Sequence, residues 1–369
     1  MNYNSKALDE LCDVKIGRTP PRNQPEWFNS GASDDWKWVS IKDMGNCGKF
    51  ITTTSETITD KAKETFNYAT VASGTILLSF KLTLGRVVIC DGEFVTNEAI
   101  AQLPIKDPST IDRDYLYYYL KNYNWSNIGN TSSIATAVNS KMVKGIKIDF
   151  PDLGTQKKIV RILSALDQKI ELNNSINRVL YSLAESIFKE RFKDKKYGDR
   201  TVGDYITPKR GKALLSKDTI EGPVPVVAGG LEAAAHHNKS NTSAPVVTIS
   251  ASGANAGFVR LWGEKVWSSD SSFIDDSITK NVYFWYVLLK SRQKEIYDAQ
   301  TGSAQAHIYP KHIADMSIGD INDEEISKYN ILVTPMFEKI ALNDATNIEL
   351  SATRDSLLPK LMSGEIIDR

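Results

Sequence analysis

The pattern of apolar and polar positions predicts two long amphipathic helices of very similar design. Apolar side chains recur every three or four residues from Ile159 to Ile187, and again from Tyr329 to Leu357. This spacing is typical of an α-helix with one packed face. Each stripe contains two asparagines at matching places, which are Asn173, Asn177, Asn343 and Asn347. Because asparagine at a packing position lowers stability, we interpret these residues as setting the register between the two helices.

The similarity belongs to an internal repeat with a constant offset of 170 residues. "DQKIELNNSIN" begins at Asp167 and "FEKIALNDATN" at Phe337, with Lys, Ile, Leu and two Asn at the same spacing. The same offset aligns residues 131–148 with residues 301–318. A weaker echo, at another offset, relates "LDELCDVKIGR" to "VGDYITPKRGK". The repeat predicts the order variable region, helix, variable region, helix.

The variable regions have the signature of short strands. Runs such as "GTILLSF", "GRVVIC", "APVVTISAS" and "GFVRLW" are separated by Gly, Pro, Asn and Ser. Each region also carries one aromatic helical segment, "RDYLYYYLKNY" or "NVYFWYVLLKSR", a pattern more typical of core packing than of nucleobase stacking. The predicted class is α+β, with boundaries at residues 1–152 (first region), 153–195 (first helix), 196–322 (second region) and 323–369 (second helix and C-terminal tail).

Charge distinguishes the two helices, although the whole chain has 45 Lys and Arg against 45 Asp and Glu. Residues 151–200 carry 11 basic against 7 acidic side chains, whereas residues 321–369 carry 5 against 9. Opposite charge favours pairing of the helices with each other over pairing with a second copy of themselves.

A pseudo-twofold axis between the repeats requires these helices to run antiparallel, as a coiled coil. The residue numbers of facing positions then sum to about 518–520, which places Asn173 opposite Asn347 and Asn177 opposite Asn343. A slipped register would leave each amide against leucine, at a cost of about 1–3 kcal/mol. A rod of about 35 residues spans roughly 50 Å.

Cysteine usage and hydropathy bear on the compartment. The three cysteines form no CxxC pair and leave an odd thiol, which favours a reducing cytoplasm. The longest apolar run, "VYFWYVLL", is far shorter than a membrane span, and the N-terminus has no apolar core typical of a signal peptide. We therefore expect a cytoplasmic protein with no membrane partner.

Sequence motifs for catalysis are missing. The chain has no GxGxxG, no GxxxxGK[ST] and no Asn-Pro-Pro-aromatic tetrad, and its histidines lack metal-ligand spacing with the cysteines. Asp152 and Asp167-Gln168-Lys169 fit a nuclease pattern on paper, but at ~1.5 Å per residue the two carboxylates lie about 22 Å apart on one helix and cannot share a metal. We predict no metal site and no catalysis. The competing hypothesis is a stand-alone nuclease or methyltransferase with an unrecognised site.

The helix sequences carry a family resemblance. "QKKIVRILSALDQKIELNNSINRVLYSLAESIFKERF", together with "LLPKLMSGEI", resembles the specificity subunit of type I restriction-modification systems, over essentially the whole chain. The resemblance implies two target-recognition domains, each followed by a spacer helix. It also implies a non-catalytic subunit in which each domain reads one half of a bipartite DNA site and directs methylation or cleavage by partners.

The same resemblance implies partners and cofactors. Double-stranded DNA, two modification (methyltransferase) subunits and, in the full nuclease, two restriction subunits are expected. No cofactor is expected in this chain, because S-adenosylmethionine, ATP and Mg would be bound by the partner subunits. The rod would place the domains on half-sites about one helical turn apart, ~34–36 Å.

Three loops in each region supply groups suited to DNA, because Lys and Arg contact phosphates while small polar side chains reach base edges. In the first region the candidates are Lys15, Arg18, Thr19, Arg22, Ser79, Lys81, Arg86, Thr131, Ser132, Ser133 and Lys141. In the second region they are Lys209, Arg210, Lys212, Ser250, Ser252, Asn255, Thr301, Ser303, Gln305, His307 and Lys311. Gln305 has the geometry to pair bidentately with adenine.

A second row on the first helix is more apolar than a solvated face requires. Its members are Ile162, Leu172, Ile176, Val179, Leu183 and Phe188. We expect this row to contact the modification subunits.

Overall fold

A computed structural model describes residues 3–29, 35–125, 138–195, 197–302 and 305–366. The chain forms two compact units. Unit 1 consists of Met1–Glu171 and Glu349–Arg369, and unit 2 of Leu172–Ile348. The unit boundaries fall inside the long helices rather than at their ends, so each unit combines one β-rich region with parts of both helices.

Among its described residues, unit 1 contains ten strands and five shorter helices. The strands are β1 (Asn4–Ala7), β2 (Lys15–Ile16), β3 (Trp36–Val39), β4 (Phe50–Ile51), β5 (Glu56–Ile58), β6 (Ile76–Ser79), β7 (Val87–Cys90), β8 (Val95–Thr96), β9 (Ile100–Leu103) and β10 (Lys147–Phe150). The helices are α1 (Leu8–Leu11), α2 (Ile41–Gly45), α3 (Asp60–Thr65), α4 (Arg113–Asn122) and α5 (Ser140–Lys144).

These strands form three sheets. The largest has the order β2-β9-β6-β7-β4 and is antiparallel except for the parallel β4–β7 pair. The other two have the orders β5-β3-β8 and β1-β10. The central strands β6, β7 and β9 are buried on both faces, which explains why their sequences are apolar except at Ser79 and Gln102.

Unit 2 repeats this design, with nine strands in the part of it that the structure describes. They are β11 (Arg200–Thr201), β12 (Lys209–Arg210), β13 (Val224–Val227), β14 (Ala235–His237), β15 (Val246–Ser250), β16 (Val259–Trp262), β17 (Trp267–Ser268), β18 (Ser271–Ile274) and β19 (Ser317–Ile318). The shorter helices are α7 (Val282–Ser291), α8 (Gln293–Asp298) and α9 (Pro310–Ala314).

The topology of unit 2 matches that of unit 1 apart from one edge strand. Its sheets have the orders β12-β18-β15-β16, β14-β13-β17 and β11-β19. The parallel pair β13–β17 corresponds to β3–β8, and the remaining pairs are antiparallel as in unit 1. Within the part of the chain that the structure describes, β4 has no counterpart. The internal repeat is therefore a repeat of fold as well as of sequence.

The two long helices are α6 (Leu153–Phe192) and α10 (Asp323–Met362), and their bounds differ by the 170 residues that separate the repeats. Asp152 caps α6, since its carboxylate accepts the Thr155 N–H at 3.0 Å. Asn322 caps α10 through the Glu325 N–H at 2.8 Å. The helix α10 also continues through Pro335, although proline costs a helix interior about 3 kcal/mol.

The aromatic segments lie in the two large cores, as their patterns predict. In unit 1, Tyr115 and Tyr118 of α4 are buried in a cluster that includes Ile159 of α6. In unit 2, Phe284 and Trp285 of α7 are buried in the equivalent cluster. Burying a side chain of this size stabilises a fold by about 1.5–3 kcal/mol, so these helices fix each sheet against the long helices.

Candidate nucleic-acid interface

Two of the three loops predicted to contact DNA in the first region lie at one end of its main sheet. The strands β2 and β6 both run antiparallel to β9, so their C-terminal ends lie at the same edge. The loop after β6 bonds to the segment before β9 through Phe80 N–H and the Ala99 carbonyl at 3.0 Å. The loop after β2 bonds to the Thr96 carbonyl through Arg18 N–H at 2.9 Å. Residues 17–22 and 80–86 therefore belong to one surface.

The cations of the β2 loop are exposed, but each already has a protein partner. Arg18 donates to the Phe66 carbonyl at 2.7 Å, and Lys15 pairs with Asp13 at 3.1 Å. Arg22 forms two bonds with Glu56, at 2.7 and 3.0 Å, which raise its pKa above the ordinary value. Its guanidinium also lies over two aromatic rings. Thr19 donates to Glu98.

Two of the DNA-contacting candidates around the β6–β7 loop, Ser79 and Arg86, form hydrogen bonds within the fold. Ser79 is fully buried: its hydroxyl donates to the Thr83 carbonyl at 2.6 Å and accepts the Arg86 N–H at 3.0 Å. Arg86 donates to the Ile41 carbonyl at 2.6 Å and holds α2 against this loop. The Ser79 hydroxyl thus bonds to the loop backbone and the Arg86 guanidinium to α2, and contact of either side chain with DNA stays a prediction. Lys81 remains exposed.

At the equivalent end of the second region, most candidate side chains also have protein partners. Arg210 bonds to Asp270 at 2.6 Å, and Ser252 donates to the same carboxylate. Lys209 donates to Ser277 at 3.0 Å, while Lys212 is exposed. Ser250 is buried within β15, and its contact with DNA stays a prediction.

The structure joins the second and third loops of the second region into one surface. Gly253 N–H donates to the Ala306 carbonyl at 3.0 Å, and the Thr301 and His307 backbones exchange two hydrogen bonds. Ser252, Asn255, Thr301, Gln305 and His307 therefore lie on neighbouring backbone segments. Lys311 is exposed on α9, as is Lys141 on α5. The candidates Thr131, Ser132, Ser133 and Ser303 fall outside the described residues.

Unit 2 contains the predicted pairing of the helix asparagines. The Asn173 amide donates to Asn347 at 2.8 Å, and the Asn343 amide donates to Asn177 at 2.7 Å. These are the two pairs expected for antiparallel helices with the predicted register.

The amide network also contains two residues that sequence reasoning missed. Asn347 donates onward to Asn174 at 2.9 Å, and Asn177 donates onward to Asp344 at 2.8 Å. Residues 174 and 344 are equivalent in the repeat, so the network consists of two symmetric chains of three side chains. The 170-residue offset was the signal that could have identified both residues.

Unit 1 contains a second helix–helix contact with the same antiparallel sense. Arg354 of α10 donates to Asp167 of α6 at 2.8 Å, and Tyr118 of α4 donates to the same carboxylate. Asp152, the other half of the rejected nuclease pattern, is the N-cap of α6. Both carboxylates therefore have structural partners.

The second apolar row of α6 is mostly exposed. Ile162, Leu172, Val179 and Leu183 are exposed, and Ile176 is half-buried. The inclusion of Phe188 in this row is wrong, because its ring is buried among Phe192, Phe284 and Tyr329.

Two of the thiols lack the lowered pKa that is typical of a catalytic cysteine. Cys12, Cys47 and Cys90 are free, and burial raises the pKa of Cys12 and of Cys90 to about 12, which keeps both protonated at neutral pH. Across the described ranges, no group of three or more His, Cys, Asp and Glu side chains is placed to hold a metal ion. Nor does any described helix combine the length and apolar character that a membrane crossing needs.

Comparisons with known proteins agree with this architecture. Residues 1–181 match the model of the type I restriction modification DNA specificity domain. The chain is 25% identical to the specificity subunit of the type I restriction enzyme MjaIX of Methanocaldococcus jannaschii, over 99% of this chain and 94% of that protein. It is 22% identical to a putative type I specificity subunit of Mycoplasma genitalium, over 98% and 94%.

A solved structure shares the fold. The S subunit of a type I restriction-modification system from M. genitalium superposes with a TM-score of 0.59 at 20% identity, covering 98% of this chain and 96% of that one. Residues 1–181 thus carry the match to a type I restriction modification DNA specificity domain, and the similarity to type I specificity subunits extends over 98–99% of the chain.

Proposed function

We propose that this chain is the DNA sequence-recognition subunit of a type I restriction-modification complex, in which each β-rich region reads one half of a bipartite site. The observation that carries the proposal is the duplication of one fold with different loop chemistry at equivalent sheet ends. The first region presents Arg18, Arg22 and Lys81 there, whereas the second presents Lys212, Gln305 and His307. Equivalent scaffolds with different loops suit the reading of two different sequences.

The experiment exchanges one region only. Residues 1–152 are replaced by the equivalent region of a relative, the chain is assembled with its modification subunits, and methylated positions are mapped on genomic DNA. We expect one half of the target to change and the other half to stay the same. A change in both halves would refute the modular reading of the site.

We further propose that two modification subunits bind the helices at equivalent places. Leu172 of α6 and Leu342 of α10 occupy the same position in the repeat and are 54% and 60% exposed. Ile162 and Leu332 form a second equivalent pair, also exposed. Apolar side chains in repeated, exposed positions favour two copies of one partner.

Single charge substitutions test this stoichiometry. Leu172→Glu and Leu342→Glu should each remove one of two modification subunits from the purified complex, measured by native mass spectrometry, and the double variant should remove both. Leu215→Glu, which alters an exposed leucine of the second region, serves as a matched control. Equal partner content in all four proteins would contradict the proposed sites.

Catalysis in the proposed complex belongs to the partners, which would bind S-adenosylmethionine, ATP and Mg, and the complex would act in the cytoplasm. The competing hypothesis of a stand-alone enzyme is tested with the purified chain. Supplied with S-adenosylmethionine, or with ATP and Mg, the chain alone should neither methylate nor cleave DNA, whereas added modification subunits should produce methylation. Activity of the chain alone would favour the competing hypothesis.

A further inference from the structure

The tip of the β6–β7 loop presents an apolar side chain to solvent. Leu82 is 96% exposed, and its backbone has φ +61°, in the left-handed region that residues with a side chain rarely adopt. Its neighbours Lys81 and Thr83 are exposed as well. The loop thus carries a cation, an apolar group and a hydroxyl on three consecutive residues.

This loop is held firmly at its base. The hydroxyl of Ser79, before the tip, bonds to Thr83 and Arg86 after the tip, and Gly85 N–H donates to the Ser79 carbonyl at 3.0 Å. Gly85 also packs so closely on the Trp125 indole that a Cβ at position 85 would overlap the ring. Leu82 is therefore displayed from an anchored turn.

The second region builds a similar turn that is longer by one residue and has glycine near its start. Ser250 ends β15 as Ser79 ends β6, and Gly257 N–H donates to the Ser250 carbonyl at 2.7 Å, as Gly85 does to Ser79. Three residues after each serine lie Leu82 and Gly253, and Gly253 has φ +81° with open space where a Cβ would project. Glycine satisfies this backbone without strain, so neither the turn nor solvation explains a leucine at position 82.

We propose that Leu82 packs on the 5-methyl group of a thymine in the major groove, within the half-site read by the first region, with Lys81 and Thr83 contacting the neighbouring phosphate or base edges. This inference rests on the proposed DNA-reading function. Apolar contact with the thymine methyl is an established mode of base readout. Arg18 and Arg22 lie at the same end of the sheet and suit the phosphate backbone, although Glu56 and Glu98 partly neutralise this surface.

The test uses the full chain assembled with its modification subunits and duplexes that carry its mapped target. Thymines are replaced one at a time by deoxyuridine, which removes only the methyl group. For the unaltered complex, one replacement in the half-site of the first region should weaken binding about four-fold, the effect of one methyl-sized apolar contact. Leu82→Gly should weaken binding of thymine-containing DNA by at least as much and should no longer distinguish thymine from deoxyuridine at that position.

Two further variants serve as controls. Leu82→Met keeps an apolar side chain and should retain the preference for thymine. Phe50→Ser removes an exposed apolar side chain from β4, an edge strand of the same sheet, and should leave the deoxyuridine pattern unchanged. Because Leu82→Gly relieves backbone strain, its thermal unfolding temperature should not fall, which separates lost recognition from lost folding.

Several outcomes would overturn the inference. Additive losses from Leu82→Gly and deoxyuridine would show that the two groups do not touch. A weaker Leu82→Gly complex without any deoxyuridine-sensitive position would indicate insertion between base steps instead. Sequence-specific binding that is identical in Leu82→Gly would refute only the role of Leu82, whereas an unaltered complex without sequence preference would refute the proposed function itself.

Discussion

The two units hold their β-rich regions against the long helices with opposite chemistry at equivalent positions. In unit 1, Asp167 and Arg354 form an ion pair whose side chains are only 12% and 16% exposed, and Tyr118 joins it. In unit 2 the equivalent positions are Phe337 and Ala184. Phe337 is buried there, in an aromatic cluster whose other members are Tyr181, Tyr283 and Tyr286.

This difference shows how a duplicated fold keeps its copies distinct. The backbone repeat preserves the helix bounds and the strand order, whereas the contacts between region and helix do not interchange. A helix segment carrying Asp167 in the place of Phe337 would bury a carboxylate among tyrosine rings without a cation. The difference therefore favours each region packing on its own segment of helix.

The largest effect is expected in the aromatic contact. Phe337→Ala should lower the free energy of unfolding by about 3–5 kcal/mol, because a ring stacked 4.9 Å from Tyr283 leaves a cavity. Urea unfolding at low salt and at about 1 M salt should give the same loss, since no charge is involved. Ile331→Ala, an exposed control on the same helix, should change stability by at most about 0.5 kcal/mol. A comparable loss in both variants would contradict a localised aromatic contact.

The ionic contact should respond differently. Arg354→Met should cost about 2–3 kcal/mol, because it leaves Asp167 largely buried without its cation. Adding Asp167→Leu should recover part of this loss, since removing both charges leaves neither unpaired. A double-mutant cycle by urea unfolding measures the coupling. A single-variant loss below about 0.5 kcal/mol would place the pair among ordinary surface ion pairs.

Equivalent substitutions in the asparagine network should lower the free energy of unfolding equally, whichever helix carries them. Asn173→Ala and Asn343→Ala are equivalent in the repeat, and each removes the donor that begins one chain of amides. Each should cost about 1–3 kcal/mol, with values that agree within error in thermal or urea unfolding. Clearly unequal losses of stability would show that the two chains of amides are not equivalent in energy, although their hydrogen bonds are equivalent in geometry.

The smallest effect is expected at the one place where this network departs from the repeat. Asp344 stands where the first copy has Asn174, and burial raises the pKa of Asp344 above its ordinary value of 3.8, against the opposing influence of Arg260 and Asn177. A raised pKa means that ionisation costs the folded state stability as pH rises through that interval. Asp344→Asn keeps an oxygen acceptor for Asn177 and should raise stability at neutral pH by at most about 0.5 kcal/mol.

The pH dependence provides the check on this last variant. Its gain should shrink as pH falls and should disappear once the Asp344 carboxyl is protonated in both the folded and unfolded states. A gain in stability that grows at low pH would show that the ionised Asp344 carboxylate stabilises the folded state. Stability curves of the two proteins between about pH 3 and 7 decide between these outcomes.

The sequence by itself determined the features that depend on periodicity and repetition. An offset of 170 residues and a period of 3.6 predicted both long helices, their antiparallel pairing and the contacts of Asn173 with Asn347 and of Asn177 with Asn343. Such patterns can be read from the sequence alone, because the residues of one helix face share the same environment and recur at a regular spacing. The repeat also relates Asn174 to Asp344, but neither residue lies on the apolar stripe from which the pairing was predicted.

Only the tertiary structure decided which loop side chains remain free. Ser79, Ser250 and Arg86 are residue types that often contact DNA, yet the two serines are buried, and the polar groups of Ser79 and Arg86 bond to the β6–β7 loop and to α2. Conversely, leucine is a typical core residue, yet Leu82 is almost fully exposed. Loop conformation depends on hydrogen bonds between segments far apart in sequence, and no local pattern records those partners.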